Sequence, residues 1–286
     1  ASRDRHLAES AVRALGEVGT AGAQKALSGY VTMDGNQRVS MMSAFVLRDS
    51  GDLVAAYDLL PVLQAAADDR DVMLAASVIG GINRREKDPS LAQALAEAVL
   101  VLEEVINDDS RGMWDKVGAA RTLGTIGSDE ASRVLLDVAG DVENPNGHVQ
   151  RTAIQMLGAS GSADVAGELE RILAYSTEID HQVRIATAIG EVASRHPDSY
   201  AVGIAESVAI PLIHSIAISA ETTDLQRHAV EALGEIGTPT DITVLRQAGI
   251  ANRDLATAVE EAISDIEDRA QGIDTGRDSL RWWRPF

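Results

Sequence analysis

The sequence predicts an all-α fold, a solenoid of stacked helical hairpins, and three observations carry that reading. In Leu225–Gly237, the residues Ala229, Val230, Leu233 and Ile236 fall at helical spacing, so one stripe of a helix is apolar. Two glycines punctuate this stretch. Gly234 sits late in the helix, where a missing side chain lets a neighbouring helix come close, and Gly237 stands where a left-handed residue would end it. The same phrase then recurs along the chain at intervals of 31 to 44 residues, the mark of a repeat array. Only 3% of the 286 residues are aromatic, so alanine, valine, leucine and isoleucine must form the core. Thin layers of close-packed helices suit such side chains.

With the late-helix glycine as landmark, the copies stand at Gly16, Leu47, Gly80, Gly124, Gly158, Gly190, Gly234 and, degenerately, Asp265. Val12-Arg13-Ala14-Leu15-Gly16 begins the series, with Gly19 as its stop. The second copy has Leu47 in place of the glycine. In the third, Asn83 takes the stop position, since asparagine also tolerates the left-handed region. Pro89 then opens a long apolar helix containing Glu97-Ala98-Val99, and Ser110–Trp114 reads as the connection that leaves it. Thr122-Leu123-Gly124 and Met156-Leu157-Gly158 carry their stops at Gly127 and Gly161. Ala188-Ile189-Gly190 has Ala193 at that place, so its helix is expected to run on. Pro197 precedes a second long apolar helix, with Glu206-Ser207-Val208 matching the earlier triplet. Thr238-Pro239 opens the next helix, a capping hydroxyl followed by proline at the first helical position. The last hairpin, Asp241–Asp268, ends in Glu260-Glu261, Asp265 and Glu267-Asp268, the polar outer face that a terminal repeat needs.

Landmark spacings are 31, 33 and 44 residues from 16 to 124, then 34, 32 and 44 from 124 to 234. Short, short, long occurs twice, with a proline in each long repeat, and this implies an internal duplication of three repeats. The expected organisation is a first lobe over 1–124, a second over 125–234, a capping repeat over 235–270 and a tail over 271–286. The tail is aperiodic. It ends Arg281-Trp282-Trp283-Arg284-Pro285-Phe286 and is locally basic in an acidic chain.

Val12–Gly19 and His228–Gly237 resemble HEAT repeats, in particular the short, bilin-lyase-like form, and the resemblance extends from Leu7 to about Asp268. It implies a right-handed α-solenoid of about seven to eight repeats, with second helices lining the concave side. In that family the second helix opens with an acidic residue followed by valine and arginine. Asp180-His181-Gln182-Val183-Arg184 fits best, while His148-Val149-Gln150-Arg151 and Asp224-Leu225-Gln226-Arg227 are looser copies. By that resemblance Arg151, Asp180, Arg184, Asp224 and Arg227 form a ladder between repeats. The resemblance speaks for the fold and says little about activity, because this repeat serves unrelated tasks.

The formal net charge is −19 and the calculated isoelectric point about 4.6. Of 25 basic residues only Lys25, Lys87 and Lys116 are lysine, which leaves 25 − 3 = 22 arginines. Acidity with so little lysine looks like haloarchaeal proteins; an acidic protein from a GC-rich genome gives the same bias. The field repels phosphate backbones, so nucleic acid is not an expected partner. There is no cysteine for a disulfide, a thiolate nucleophile or a zinc ligand. The amino end, Ala1–His6, lacks the apolar run of a signal peptide. Glu206, Pro211 and His214 disfavour a membrane span over 201–220, and a soluble cytoplasmic protein is expected.

Six histidines, His6, His148, His181, His196, His214 and His228, contain no pair spaced four apart and no His-Glu dipeptide of the kind that binds iron in HEAT-like deoxyhypusine hydroxylases. His148 and His181 begin successive second helices. Gly-x-Ser-x-Gly and a phosphate-cradling loop are absent. No catalytic, cofactor-binding or metal residue is therefore expected. Partner binding is expected at Trp114, which the repeat does not demand (its counterpart 110 residues on is Asp224), and at Arg281, Trp282, Trp283, Arg284 and Phe286. Tryptophan and arginine are enriched at the energetic centres of interfaces. The resulting expectation is a non-enzymatic scaffold or accessory subunit that holds proteins through its concave face and tail. The alternative is a bilin-lyase-like or metal-dependent enzyme.

Overall fold

The computed structural model describes residues 2–32, 36–65, 69–141 and 147–273, with side chains from Leu7 onward. It is helical throughout, with no strand among the described residues. The chain forms two compact units, Ala1–Met156 and Leu157–Phe286. This division follows packing density, whereas the lobes of 1–124 and 125–234 follow repeat punctuation.

The first unit contains α1 (Ser2–Val18), α2 (Ala21–Val31), α3 (Gln37–Ser50), α4 (Leu53–Ala65), α5 (Asp69–Glu86), α6 (Pro89–Asn107), α7 (Met113–Ile126) and α8 (Asp129–Gly140). The helix α9 (Gly147–Ser160) spans the division. Odd-numbered helices pack on one another in order, α1 on α3, α3 on α5 and α5 on α7, while α2, α4, α6 and α8 form a second layer. Gly16, Leu47, Gly80 and Gly124 all lie in this odd-numbered layer, which therefore consists of the second helices of the hairpins.

The second unit contains α10 (Ala163–Tyr175), α11 (Ile179–Arg195), α12 (Ala201–Ile204), α13 (Ile210–Ser219), α14 (Thr223–Ile236), α15 (Ile242–Ala251) and α16 (Ala256–Ala270). Here α11, α14 and α16 form one layer, while α10, α12, α13 and α15 form the other. The helices α12 and α13 are one continuous rod joined by a π-helical turn over Ala205–Ala209, just before Pro211. Proline has no N–H and its ring crowds the carbonyl four residues back, so the rod widens by one residue there. Ala201–Ser219 is long and apolar enough to cross a membrane, with mean hydropathy 1.8. In the second unit it packs against α11, α14 and α15, with Ala201, Ala205, Ala209, Ile213, Ile216 and Ala217 buried.

The core is what the composition requires. The largest fully buried side chains are leucines and isoleucines such as Leu47, Ile79, Leu102, Leu123 and Leu169. Slim layers need close approach, and the landmark glycines supply it. A Cβ on Gly80 would lie 3.1 Å from Ile126 Cα, and one on Gly234 would lie 3.0 Å from Ala262 Cα.

Helix ends depart from the sequence reading in two places. Gly19 and Gly127 take the left-handed conformation (φ 61° and 63°), but Gly237 is extended, at φ −70° and ψ 165°. Its N–H still bonds Leu233 O at 2.8 Å, while its own carbonyl turns out to accept from Arg269. A side chain there would meet Leu233 O, so Gly237 is needed for space rather than for a positive φ. Asn83 does not stop α5, which runs on to Glu86, and Lys87 takes the left-handed position (φ 54°). The helix after Ala193 does continue, to Arg195. Pro89 starts α6 behind an Asp88 cap, and Thr238-Pro239 opens the next helix through a capping box closed by Asp241.

Candidate functional site

The residues singled out from sequence that the structure describes fall near the starts of the second helices α7, α9, α11 and α14. Trp114 is not in a connection; it is the second residue of α7, because Gly112 caps that helix and the turn starts at Met113. It is 53% exposed, and its ring centroid lies 6.0 Å from that of His148 on α9, tilted by 41°. Trp114 and His148, noted separately in the sequence, thus form one aromatic pair in the first unit. Around them, Arg111 pairs with both Asp69 and Asp108, and Lys116 lies 3.9 Å from Asp109.

In the second unit Asp180 and Arg184 pair within α11, with Nε–Oδ2 at 3.0 Å. The bond between helices is a different one: His228 Nδ1 on α14 donates to Asp180 Oδ1 at 2.9 Å. Asp224 and Arg227 are both exposed, and no ion pair or side-chain hydrogen bond joins either to a described residue. Arg151 is exposed on α9. The structure therefore brings Asp180 and Arg184 together and adds His228, but leaves Asp224 and Arg227 apart. A second histidine–aspartate tie joins α13 to the capping repeat, His214 Nε2 to the buried Asp241 at 2.8 Å. Arg281, Trp282, Trp283, Arg284 and Phe286 lie outside the described residues.

Two other side-chain devices hold successive helices together, and neither was read from sequence. One is an arginine fork. Arg85 on α5 donates to Arg48 O at 2.7 Å and Gly51 O at 2.8 Å, at the end of α3. Arg195 on α11 donates to Gly161 O at 2.9 Å and also to Gly158 O at the end of α9. Arg269 on α16 donates to Gly234 O at 2.5 Å and Gly237 O at 2.8 Å at the end of α14. Each fork satisfies carbonyls that a helix end leaves orphaned and sets a cation at the negative end of the helix dipole.

The other device is a glutamine eight residues before the landmark. Gln150 donates to Ala139 O and Asp141 O, Gln182 to Ser176 O and Gln226 to Ile218 O, so each closes the end of the first helix in its own hairpin. The available signal was the recurring glutamine in His148–Arg151, Asp180–Arg184 and Asp224–Arg227, beside the charges that attract attention first.

Among the described residues, no group of three or more His, Asp or Glu side chains is placed to hold a metal ion. A surface depression on α6 is lined by Leu100, Val101, Glu103, Glu104, Asn107 and Asp108 and opens to solvent.

Comparison with known proteins reaches the middle of the chain. Residues 100–190, from α6 to the landmark of α11, match a family model described as HEAT repeats. Over this stretch the chain is similar to HEAT repeats. No curated protein matches the chain significantly. Among solved structures, human deoxyhypusine hydroxylase in complex with glycerol aligns at 18% identity over 93% of this chain and 99% of that one. The TM-score is 0.30, too low for the likeness to carry an argument.

Proposed function

We propose that the chain is a non-enzymatic HEAT-repeat scaffold or accessory subunit that binds partner proteins along its second-helix rows and through its carboxyl-terminal tail. The observation that carries this reading is Trp114, a large aromatic side chain 53% exposed at the start of a HEAT-repeat helix, where the repeat does not require it. Aromatic and arginine side chains at such sites carry interface energy well beyond their area. Arg281, Trp282, Trp283, Arg284 and Phe286 have the same chemistry.

The solenoid reading, with seven to eight repeats in two duplicated lobes, is supported by the forks: Arg85 and Arg195, 110 residues apart, perform the same task on α3 and α9. The acidity and scarcity of lysine support a halophilic source. The deciding experiment is co-purification at high salt with the intact chain, with a chain lacking Leu280–Phe286 and with Trp114→Ala. Recovery of a defined partner that drops with either change supports the scaffold. Stoichiometric iron or zinc in the purified chain would overturn the non-enzymatic reading in favour of metal-dependent chemistry.

A further inference from the structure

The second-helix rows of the two units carry opposite chemistry at corresponding positions. In the second unit Asp180, Arg184 and His228 satisfy one another across α11 and α14. The residues 110 positions earlier are Arg70, Leu74 and Gly118, and Asp224 corresponds to Trp114. Where the second unit's row carries the Asp180–Arg184–His228 ties, the first unit's row has Arg70, Leu74, Trp114 and Gly118.

Trp114 and Gly118 belong to one patch that α5 and α9 extend. Trp114 and Gly118 are one turn apart on α7, so they share a face. A Cβ on Gly118 would sit 3.3 Å from Met73 Sδ, so the methionine of α5 floors the notch that this glycine leaves. Leu74, the next residue of α5, is half-buried, and the His148 ring extends the patch to α9. A polarisable thioether beside an exposed indole makes an adaptable apolar surface, of a kind used to seat helices of varied sequence.

The rim fixes the charge of the occupant. Along the starts of α5 and α7, Asp69, Asp71, Asp108, Asp109 and Asp115 face three cations, Arg70, Arg111 and Lys116. Arg111 and Lys116 are already paired to aspartates of this rim, and the surplus is negative. The backbone of these helices spends its hydrogen bonds internally, so it cannot recruit a strand by edge pairing; side chains must do the reading.

We infer that the Trp114–Gly118–Met73 face of the first unit is the docking surface for one amphipathic helix of a partner protein, apolar where it meets Trp114 and basic along its flanks. This inference rests on the scaffold reading and gives it an address.

The test titrates the full chain with a labelled 18-residue Leu/Lys amphipathic peptide, with its Leu/Glu counterpart as the acidic control. The salt is about 0.5 M, where exposed charges are screened beyond roughly 4 Å. The Leu/Lys peptide should saturate, and Trp114→Ala and Gly118→Gln should each weaken it at least tenfold, while Arg184→Leu in the second unit changes it less than twofold. Gly118→Gln fills the notch and keeps the indole, so it answers for the surface independently of any effect of Trp114→Ala on α7; circular dichroism checks both folds. Equal binding by the parent chain and both variants, tight binding of the Leu/Glu peptide, or no saturable binding would each overturn the inference. Co-purification separates the two readings. If native partners still come down with Trp114→Ala, this surface falls and the scaffold stands; if the intact chain brings down none, the scaffold itself falls.

Discussion

Gly29 and Gly80 are both helical glycines, yet replacing each by alanine is expected to move stability in opposite directions. Gly29 is exposed on α2 and a Cβ there meets nothing within 4 Å. Its substitution should add about 0.5–1 kcal/mol, because alanine loses less backbone freedom on entering a helix. The same preference applies at Gly80, but there the new carbon would lie 3.1 Å from Ile126 Cα and 3.2 Å from Thr125 O. Backbone cannot swing aside as a side chain can, and overpacking costs roughly 1–3 kcal/mol, so Gly80→Ala should be destabilising on balance. Urea midpoints of the two variants measure the contrast; equal shifts would refute the close-approach argument. Asp88 offers a second test at this scale. Ser90, through its hydroxyl and its backbone N–H, and Tyr57 Oη donate to the carboxylate and hold its pKa below the ordinary aspartate value. A lowered folded pKa means the stabilisation is complete above the unfolded value, about 3.9, and fades as pH falls through the folded one. The urea midpoint of Asp88→Asn should therefore lie below that of the parent at neutral pH, with the gap closing on acidification through that window.

At the scale of the element, the arginine forks explain what the glycine stops alone do not. Arg195→Met should cost about 1–3 kcal/mol, since the carbonyls of Gly158 and Gly161 lose their charged donor at a partly buried helix end. Arg195→Lys should recover only part of the loss, because an ammonium keeps the charge near the dipole but cannot fork onto two carbonyls. Thermal unfolding of the pair checks this, and a lysine variant as stable as the parent would show that charge alone suffices. The forks mark where the sequence stopped being legible. The landmark glycines could be read because a missing Cβ in an apolar helical stripe has few meanings, and close approach is one of them. An arginine four or five residues further on has many, and only the neighbouring helix end, some 35 residues earlier, selects one. The same limit applies to Asp180. Its pairing with Arg184 was open to reading at i, i+4, but its bond to His228 depends on how α11 and α14 are set side by side. Trp114 stands out in the sequence, but the start of its helix does not, because Gly112 caps α7 without a side chain to announce it.

At the scale of the molecule, charge is the quantity to test. A formal −19 on 286 residues repels itself in the folded state more than in an expanded one, and salt shortens the range of that repulsion from about 10 Å at 0.1 M to about 3 Å at 1 M. The ion pairs most open to screening, such as Arg171 with Glu168, are exposed on both sides and contribute little even at low salt. Repulsion relieved should therefore exceed attraction lost, and the thermal midpoint should rise as potassium chloride is raised from 0.05 to 1 M. Uncharged sucrose at matched osmolality provides the control, since it strengthens burial without screening. The stacked layers are aliphatic cores with no aromatic side chain fully buried among the described residues, so the margin that repulsion erodes is thin. A midpoint insensitive to potassium chloride, or raised equally by sucrose, would separate the acidity from stability and remove the halophilic reading.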